Sequence, residues 1–243
     1  MTSTETIPQT DTLGVSGHAD PEGEAPWALQ MVVRAEKNDL PTTTDVLEAA
    51  AKAVVMLLAS PHAAPGGEWE PALNRWLAGR IRKICKRARG AAWEKAAALP
   101  GATATVRSAT VRAFVPCPTD QVPAEIAKLQ VQGLDTEDPA PVTDPVTVLA
   151  VACPDTLVIA VNPELTMSTG KTAAQVAHAS NVAWLDASPQ RRRAWAARGF
   201  PTVVTRPAER DFRRFSTLAD VEIHDAGFTE IASGSLTTVA RWS

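Results

Sequence analysis

The sequence predicts an α/β protein: a mixed β-sheet flanked by helices, arranged as two similar units that form a pseudo-dimer. Three observations carry this expectation. Short runs of branched apolar residues alternate with Ala-rich helical stretches along the chain, the order that gives sheets covered by helices. The second half repeats the element order of the first. With 45% hydrophobic residues, 243 residues can fill one large core or two small ones.

Residues 1–25 contain Glu5, Asp11, Asp20, Glu22 and Glu24, no basic residue and no hydrophobic period, and read as a disordered acidic leader. Two units follow, 26–152 and 153–243. In the first, Leu29–Arg34 is a strand and Asn38–Thr44 a turn. Thr44 or Asp45 then caps a helix over Val46–Leu58, its side-chain oxygen taking up first-turn amides. Ser60–Gly67 is a loop, and Glu68–Leu99 a long basic helical stretch broken near Gly90. Strands around Ala104–Val115 and Val146–Ala152 flank a helix at Pro123–Val131 and an acidic, Pro-rich linker at Asp135–Pro145. In the second unit Leu157–Val161 is a strand, Pro163–Thr169 a turn and Gly170–Leu185 an Ala-rich helix. A basic helix (Pro189–Arg198), a strand (Thr202–Thr205), a helix (Glu209–Leu218) and two strands (Val221–His224, Leu236–Arg241) complete it.

Composition excludes several classes. No apolar run is long enough to span a membrane. The N-terminus lacks a basic flank and apolar stretch, so a cytoplasmic location is expected. Cys85, Cys117 and Cys153 are spaced for neither a zinc site nor a disulfide framework and read as buried thiols. The net charge of −3 hides an uneven distribution. Residues 75–95 hold Arg75, Arg80, Arg82, Lys83, Lys86, Arg87, Arg89 and Lys95 against Glu94 alone, a local +7. Such a chain presents a basic face despite its acidic balance.

The chemistry-bearing pattern is Met167-Ser-Thr-Gly-Lys-Thr-Ala-Ala-Gln-Val-Ala-His178. Lys171, Gln175 and His178 share a narrow stripe of one helix, while Ala173, Val176, Ala177, Ala179 and Ala183 make the rest small enough to pack closely. Lys171 sits in the first turn, where the helix dipole disfavours a cation, so it needs an anionic ligand or a carboxylate partner. Ser168, Thr169 and the first-turn amides also suit an anion. A nucleotide phosphate loop is rejected, because Leu165 stands where its first glycine belongs. A second motif runs from Ile223 to Val239 between two strands.

Together the motifs resemble the archaeal and eukaryotic type of peptidyl-tRNA hydrolase. Met167, Gly170, Lys171, Ala173, Ala174, Gln175, His178 and Ala179 match its helix. Asp225, Ala226, Gly227, Thr229, Ile231, Ala232, Gly234 and Ser235 match the segment before its last strand. The resemblance implies cleavage of the ester between a peptide and the terminal ribose of tRNA, with peptidyl-tRNA as partner and no membrane. It implies Lys171, Asp225 and Thr229 as catalytic, with Gly170, Gln175, His178 and Ser235 binding substrate. No metal cluster or cofactor motif is visible, so metal-independent hydrolysis is expected, with an activated water and a stabilised oxyanion. Phe228, Glu230 and Ser233 depart from the family's usual arginine, glutamine and proline, and its strand-end arginine is replaced near Val161–Asn162. These losses weaken phosphate binding, and they also fit a catalytically silent RNA-binding homologue.

Aligning Asn38-Asp39-Leu40 with Pro163-Glu164-Leu165 sets an offset of 125 residues between the halves. On that register Val46, Ala50 and Ala53 replace Lys171, Gln175 and His178. Asp45 replaces Gly170, and a separate match of Asp135-Thr-Glu137 to Phe228-Thr-Glu230 leaves Gln132 where Asp225 stands. The first half is then a degenerate repeat acting as a built-in partner subunit; a homodimer is the other arrangement. The basic segment 75–95 reads either as a solvated amphipathic helix or as a clamp on tRNA phosphates, and Arg191–Arg193 invites the same two readings. The tryptophans at 69, 76, 93, 184 and 195 read as core.

Overall fold

A strand covered on both faces needs an apolar run rather than alternation. Trp27–Arg34 (β1) supplies one, with Ala28 to Val33 all buried. The structure, a computed structural model, describes residues 23–137, 142–225 and 230–243. Most of the expected acidic leader lies outside the described residues, as do Ala226, Gly227, Phe228 and Thr229.

After β1 come α1 (Thr43–Leu58), α2 (Glu70–Leu77), β2 (Arg82–Ala88), α3 (Gly90–Ala97), β3 (Gly101–Val106) and β4 (Ala109–Phe114). The two-residue β5 (Cys117–Pro118) and helices α4 (Ala124–Ala127) and α5 (Pro145–Val151) lead to the second unit. That unit contains β6 (Leu157–Val161), α6 (Thr169–Asp186), α7 (Pro189–Ala197), β7 (Thr202–Thr205), α8 (Glu209–Ser216), β8 (Val221–His224) and β9 (Leu236–Trp242). The sheets run β2-β1-β4-β3, with β5 also on β1, and β7-β6-β9-β8. Directions correspond as well: β1∥β2 and β6∥β7 are parallel, while the pairs β1–β4, β3–β4, β6–β9 and β8–β9 are antiparallel. The two similar sheet units fit the expected pseudo-dimer.

Helices α1 and α6 lie back to back between the sheets, joined into one apolar core. Buried Ala49, Ala50, Ala53, Ala173, Ala177 and Ala183 keep the surfaces small, and Ser180 Oγ donates across the contact to the Ala51 carbonyl at 3.0 Å. One further equivalence is chemical. Trp76 in α2 and Trp195 in α7 are both fully buried, and each indole N–H donates at 3.0 Å to a carbonyl six residues on, Arg82 and Pro201. Trp93 is buried too, so these three rings serve the core.

Several expectations are corrected. The basic stretch is not one helix: residues 82–88 form edge strand β2, paired in parallel with β1 from Ala28↔Arg82 to Arg34↔Ala88. Arg and Lys are good helix formers, but pairing with the buried β1 overrides that preference. Residues 145–151 are helical rather than extended, because Asp144 caps the Val146 amide at 3.0 Å and Pro145 opens the helix. Residues 104–115 divide into a tight hairpin turned at Arg107-Ser108. Thr42, not Thr44 or Asp45, caps α1. Of the three free thiols Cys85 is buried, Cys117 half-buried and Cys153 exposed. No helix among the described residues is long and apolar enough to cross a membrane.

Candidate active site

Helix α6 begins where Ser168 Oγ accepts the Lys171 amide at 3.2 Å, which places Lys171 in the first turn. The turn has an anionic partner inside the chain: Glu230 accepts from the Ser168 N–H and hydroxyl, both at 2.8 Å. The anion expected at this helix start is therefore met by Glu230.

The carboxylate that meets Lys171 is Asp225, just after β8. Lys171 Nζ lies 2.5 Å from Asp225 Oδ1, and Gln175 Nε2 donates to the same oxygen at 2.8 Å. The Lys171 and Asp225 side chains are only 13% and 7% exposed, so the pair is strengthened by poor screening. Asp225 is fixed from both sides. Its N–H donates to the Ser235 carbonyl at 2.9 Å, and its carbonyl accepts from Gly234 at 2.8 Å. Gly234 turns there at φ +80°, a conformation glycine adopts without strain. The Thr237 hydroxyl from β9 lies 3.0 Å from Gln175 Oε1, orienting the amide toward Asp225.

These groups line a groove of about 1310 Å³ whose other wall comes from the first unit. Arg80, Arg82, Lys83 and Cys85 bring β2 to it, and residues 131–134 close one end. His178, two turns along α6 from Lys171, meets the opposite wall: Lys83 Nζ is 3.2 Å from His178 Nδ1 and 4.8 Å above the Trp76 ring. Burial holds both Lys83 and His178 well below their usual values, and Lys83 lowers His178 further, so the two do not carry positive charge together. Burial also pushes the Cys85 thiol up to about 12, leaving it unionised.

Thus Lys171, Asp225 and Gln175 come together, and His178 joins the groove through Lys83. Gly170 packs on the first unit, where an added Cβ would sit 3.7 Å from the Cys85 carbonyl, an ordinary contact. Ser235 is a loop staple, its hydroxyl donating to the Ala232 carbonyl at 2.7 Å. Thr229 lies outside the described residues. Arg80, Arg82 and Lys83 are the site residues that sequence reasoning did not assign; the basic run signalled them, but its helical reading hid which wall they form. The Arg191–Arg193 run lies beyond the far end of α6, about 22 Å along the axis from Lys171. There Arg191 stacks on Trp242 and Arg192 on Trp184, both at 5.3 Å.

The offset of 125 is also corrected. The helix caps Thr42 and Ser168 correspond, so Asp45, not Val46, stands at the Lys171 position; each donates its amide to its own cap. The hairpin turn at Arg107-Ser108, between β3 and β4, stands where the Asp225 loop joins β8 to β9. Across this equivalence the charges are exchanged. Arg107 binds Asp45 at 2.6 Å and Glu48 at 2.7 Å, and Ser108 donates its amide and hydroxyl to Asp45. Burial opposes ionisation of Asp45, yet the Ser108 bonds and Arg107 hold its carboxyl below the usual range. Burial raises Glu48, whose Oε1 also accepts the Val204 N–H of β7 at 3.1 Å. An acid at the lysine position and a base at the aspartate position leave the first unit without the Lys171–Asp225 arrangement of the second.

Arg107→Ala is expected to cost about 3 kcal/mol, because it strands two carboxylates whose side chains are 7% and 6% exposed. Urea unfolding at neutral pH reads this as a lower midpoint. The deficit should narrow as pH falls, first above 4.5, where the raised Glu48 titrates, and last below 3.8, where the lowered Asp45 does, because protonation removes the unpaired charge.

Comparison with known proteins gives one family match, over the second unit. No curated protein matches the chain. Residues 156–241 match the family model for peptidyl-tRNA hydrolase PTH2, a span that runs from β6 into β9 and contains Lys171, Gln175, His178 and Asp225. The similarity to the peptidyl-tRNA hydrolase PTH2 family is thus confined to the carboxy-terminal unit.

Proposed function

We propose that the protein hydrolyses peptidyl-tRNA, splitting the ester between the peptide and the terminal ribose and returning tRNA to translation in the cytoplasm. The observation that carries this reading is the Lys171–Asp225–Gln175 cluster, poorly exposed yet lining an open groove, within the family-matching segment. Water adds to the acyl carbon, the bond to the ribose oxygen breaks, and a proton from water ends on that oxygen. The peptide leaves as a carboxylic acid. Charge builds on the acyl oxygen as water adds, and a preorganised cation stabilises it without moving. Lys171 is assigned that role. Asp225 and Gln175 act through it: Asp225 Oδ1 already accepts from Lys171 Nζ and Gln175 Nε2, which suits a positioning group rather than the base. Units 26–152 and 153–243 then work as a pseudo-dimer in one chain, the first completing the groove.

One observation favours a second reading, a silent RNA-binding homologue. Glu230 places a carboxylate at the start of α6, where a phosphate would otherwise approach. Incubating the purified protein with labelled peptidyl-tRNA separates the two. Hydrolysis releases free peptide and intact tRNA, while the amide-linked analogue is bound and not cut. Retention of both on the protein, without release, would establish the silent reading.

A further inference from the structure

The polar cluster of the second unit shares its groove with apolar side chains from the first. Beside the basic residues of β2, Ile81, Val131 and Leu134 line it. A lone exposed valine means little on a protein surface. Val131, however, is 53% exposed within a groove that also holds the Lys171–Asp225 pair. Its carbonyl lies against the start of α6: a Cβ added at Gly170 would sit 3.7 Å from it, and Gly170 directly precedes Lys171. Apolar walls around a few convergent polar groups are the usual make-up of a small-ligand site.

Residues 130–137 form a strap that holds this wall in place. At one end, Arg87 of β2 donates its N–H to the Gln130 carbonyl at 3.0 Å and its Nε to the Gln132 carbonyl at 3.1 Å. At the other, the Glu137 carbonyl accepts from the Thr43 N–H at 3.2 Å, and the Glu137 N–H donates to the Pro41 carbonyl at 3.0 Å. The Thr43 and Thr136 hydroxyls lie 2.7 Å apart. Leu134, between the two anchors, packs on the main core. The second anchor is the start of α1, the first unit's counterpart of the Lys171 turn. A segment fixed there carries Val131 to the working groove, and a wall held at both ends loses little freedom when a ligand binds.

The chemistry of this corner decides which part of a substrate it suits. RNA phosphates need cations, and bases need aromatic faces or hydrogen-bonding partners. Val131 and Leu134 offer none of these. The Arg87 guanidinium is bound by Gln130 and Gln132. Glu230, bonded to the Ser168 hydroxyl, adds a negative charge at the same helix start. We infer that the strap wall reads the acyl side of the substrate: Val131, with Ile81 and Leu134, takes the side chain next to the ester, and the preferred substrates carry a bulky apolar residue there. This deepens the proposed function and rests on it for the identity of the ester.

The test compares the full chain on N-acetyl-leucyl-tRNA and N-acetyl-glycyl-tRNA, and on amide-linked analogues of both that bind without being cut. Even one methylene in an apolar pocket is worth about tenfold, so the leucyl forms should exceed the glycyl forms by about tenfold or more in kcat/KM and in affinity. Val131→Ser should bring both ratios to within about threefold, while Val131→Ile keeps them. Val151→Ser, exposed on α5, should leave them unchanged. Deacylated tRNA should bind Val131→Ser as it binds the wild type. Equal hydrolysis of the two esters by the wild type, or a loss of deacylated tRNA affinity in Val131→Ser as large as the loss for the leucyl analogue, would overturn the inference and leave the hydrolase standing. Analogue binding that discriminates through Val131, without release of peptide from either ester, would overturn the proposed function and leave the acyl wall standing.

Discussion

Lys171→Ala lowers kcat/KM for peptidyl-tRNA by about a hundred- to a thousandfold, the scale seen when one stabilising donor to an oxyanion is removed. The ammonium cannot be replaced by a neighbour: Gln175 is spent on Asp225, and Lys83 is held at His178. The variant folds, because the surfaces of α6 that build the core are Ala173, Val176, Ala177, Ala179 and Ala183. Stability falls all the same, since Asp225 keeps Gln175 but loses its cation; breaking a buried pair costs about 3 kcal/mol. Turnover is therefore measured where circular dichroism shows the variant folded. Lys171→Arg restores stability more than rate, because a planar guanidinium does not reproduce the ammonium's position. Wild-type turnover by folded Lys171→Ala would remove Lys171 from the chemistry.

Asp225→Asn produces the second large loss, about a hundredfold or more in kcat, while tRNA affinity stays within about twofold. Asparagine keeps the shape but not the charge. Its carbonyl can accept from both Lys171 and Gln175, yet the ammonium is no longer anchored by a carboxylate 2.5 Å away. A loss in rate at constant affinity marks an interaction that matters in the transition state. A parallel fall in affinity and rate would make Asp225 a structural support for the loop that Ser235 and Gly234 pin.

The second unit was legible because its signals are local. Helices α6, α7 and α8 and strands β6 to β9 fall close to the segments that capping residues, prolines and branched apolar runs mark. One side of the Lys171–Asp225 contact was legible for a different reason: a first-turn cation needs an anionic ligand or a carboxylate partner, and the second motif offers a carboxylate. The first unit was harder to read. β2 is extended only because β1 lies beside it, and no local feature of Arg-Lys-Ile-Cys-Lys-Arg announces that neighbour. Thr42 was hidden among three successive threonines, so the register slipped by one and concealed the exchange of charge between Lys171–Asp225 and Asp45–Arg107. The wall of Arg80 and Arg82 depends on how α6 meets the other unit's sheet, which emerges only when both units pack together.

The central claim is that water, directed by the Lys171–Asp225 site, attacks the acyl carbon of a peptidyl ester. Turnover of peptidyl-tRNA in heavy-oxygen water tests it most directly, with mass spectrometry of both products. The account predicts that one heavy oxygen enters the carboxylate of the released peptide and that the terminal ribose of the tRNA remains unlabelled. No release by the folded wild-type chain, or label on the ribose hydroxyl instead of the peptide, would contradict it.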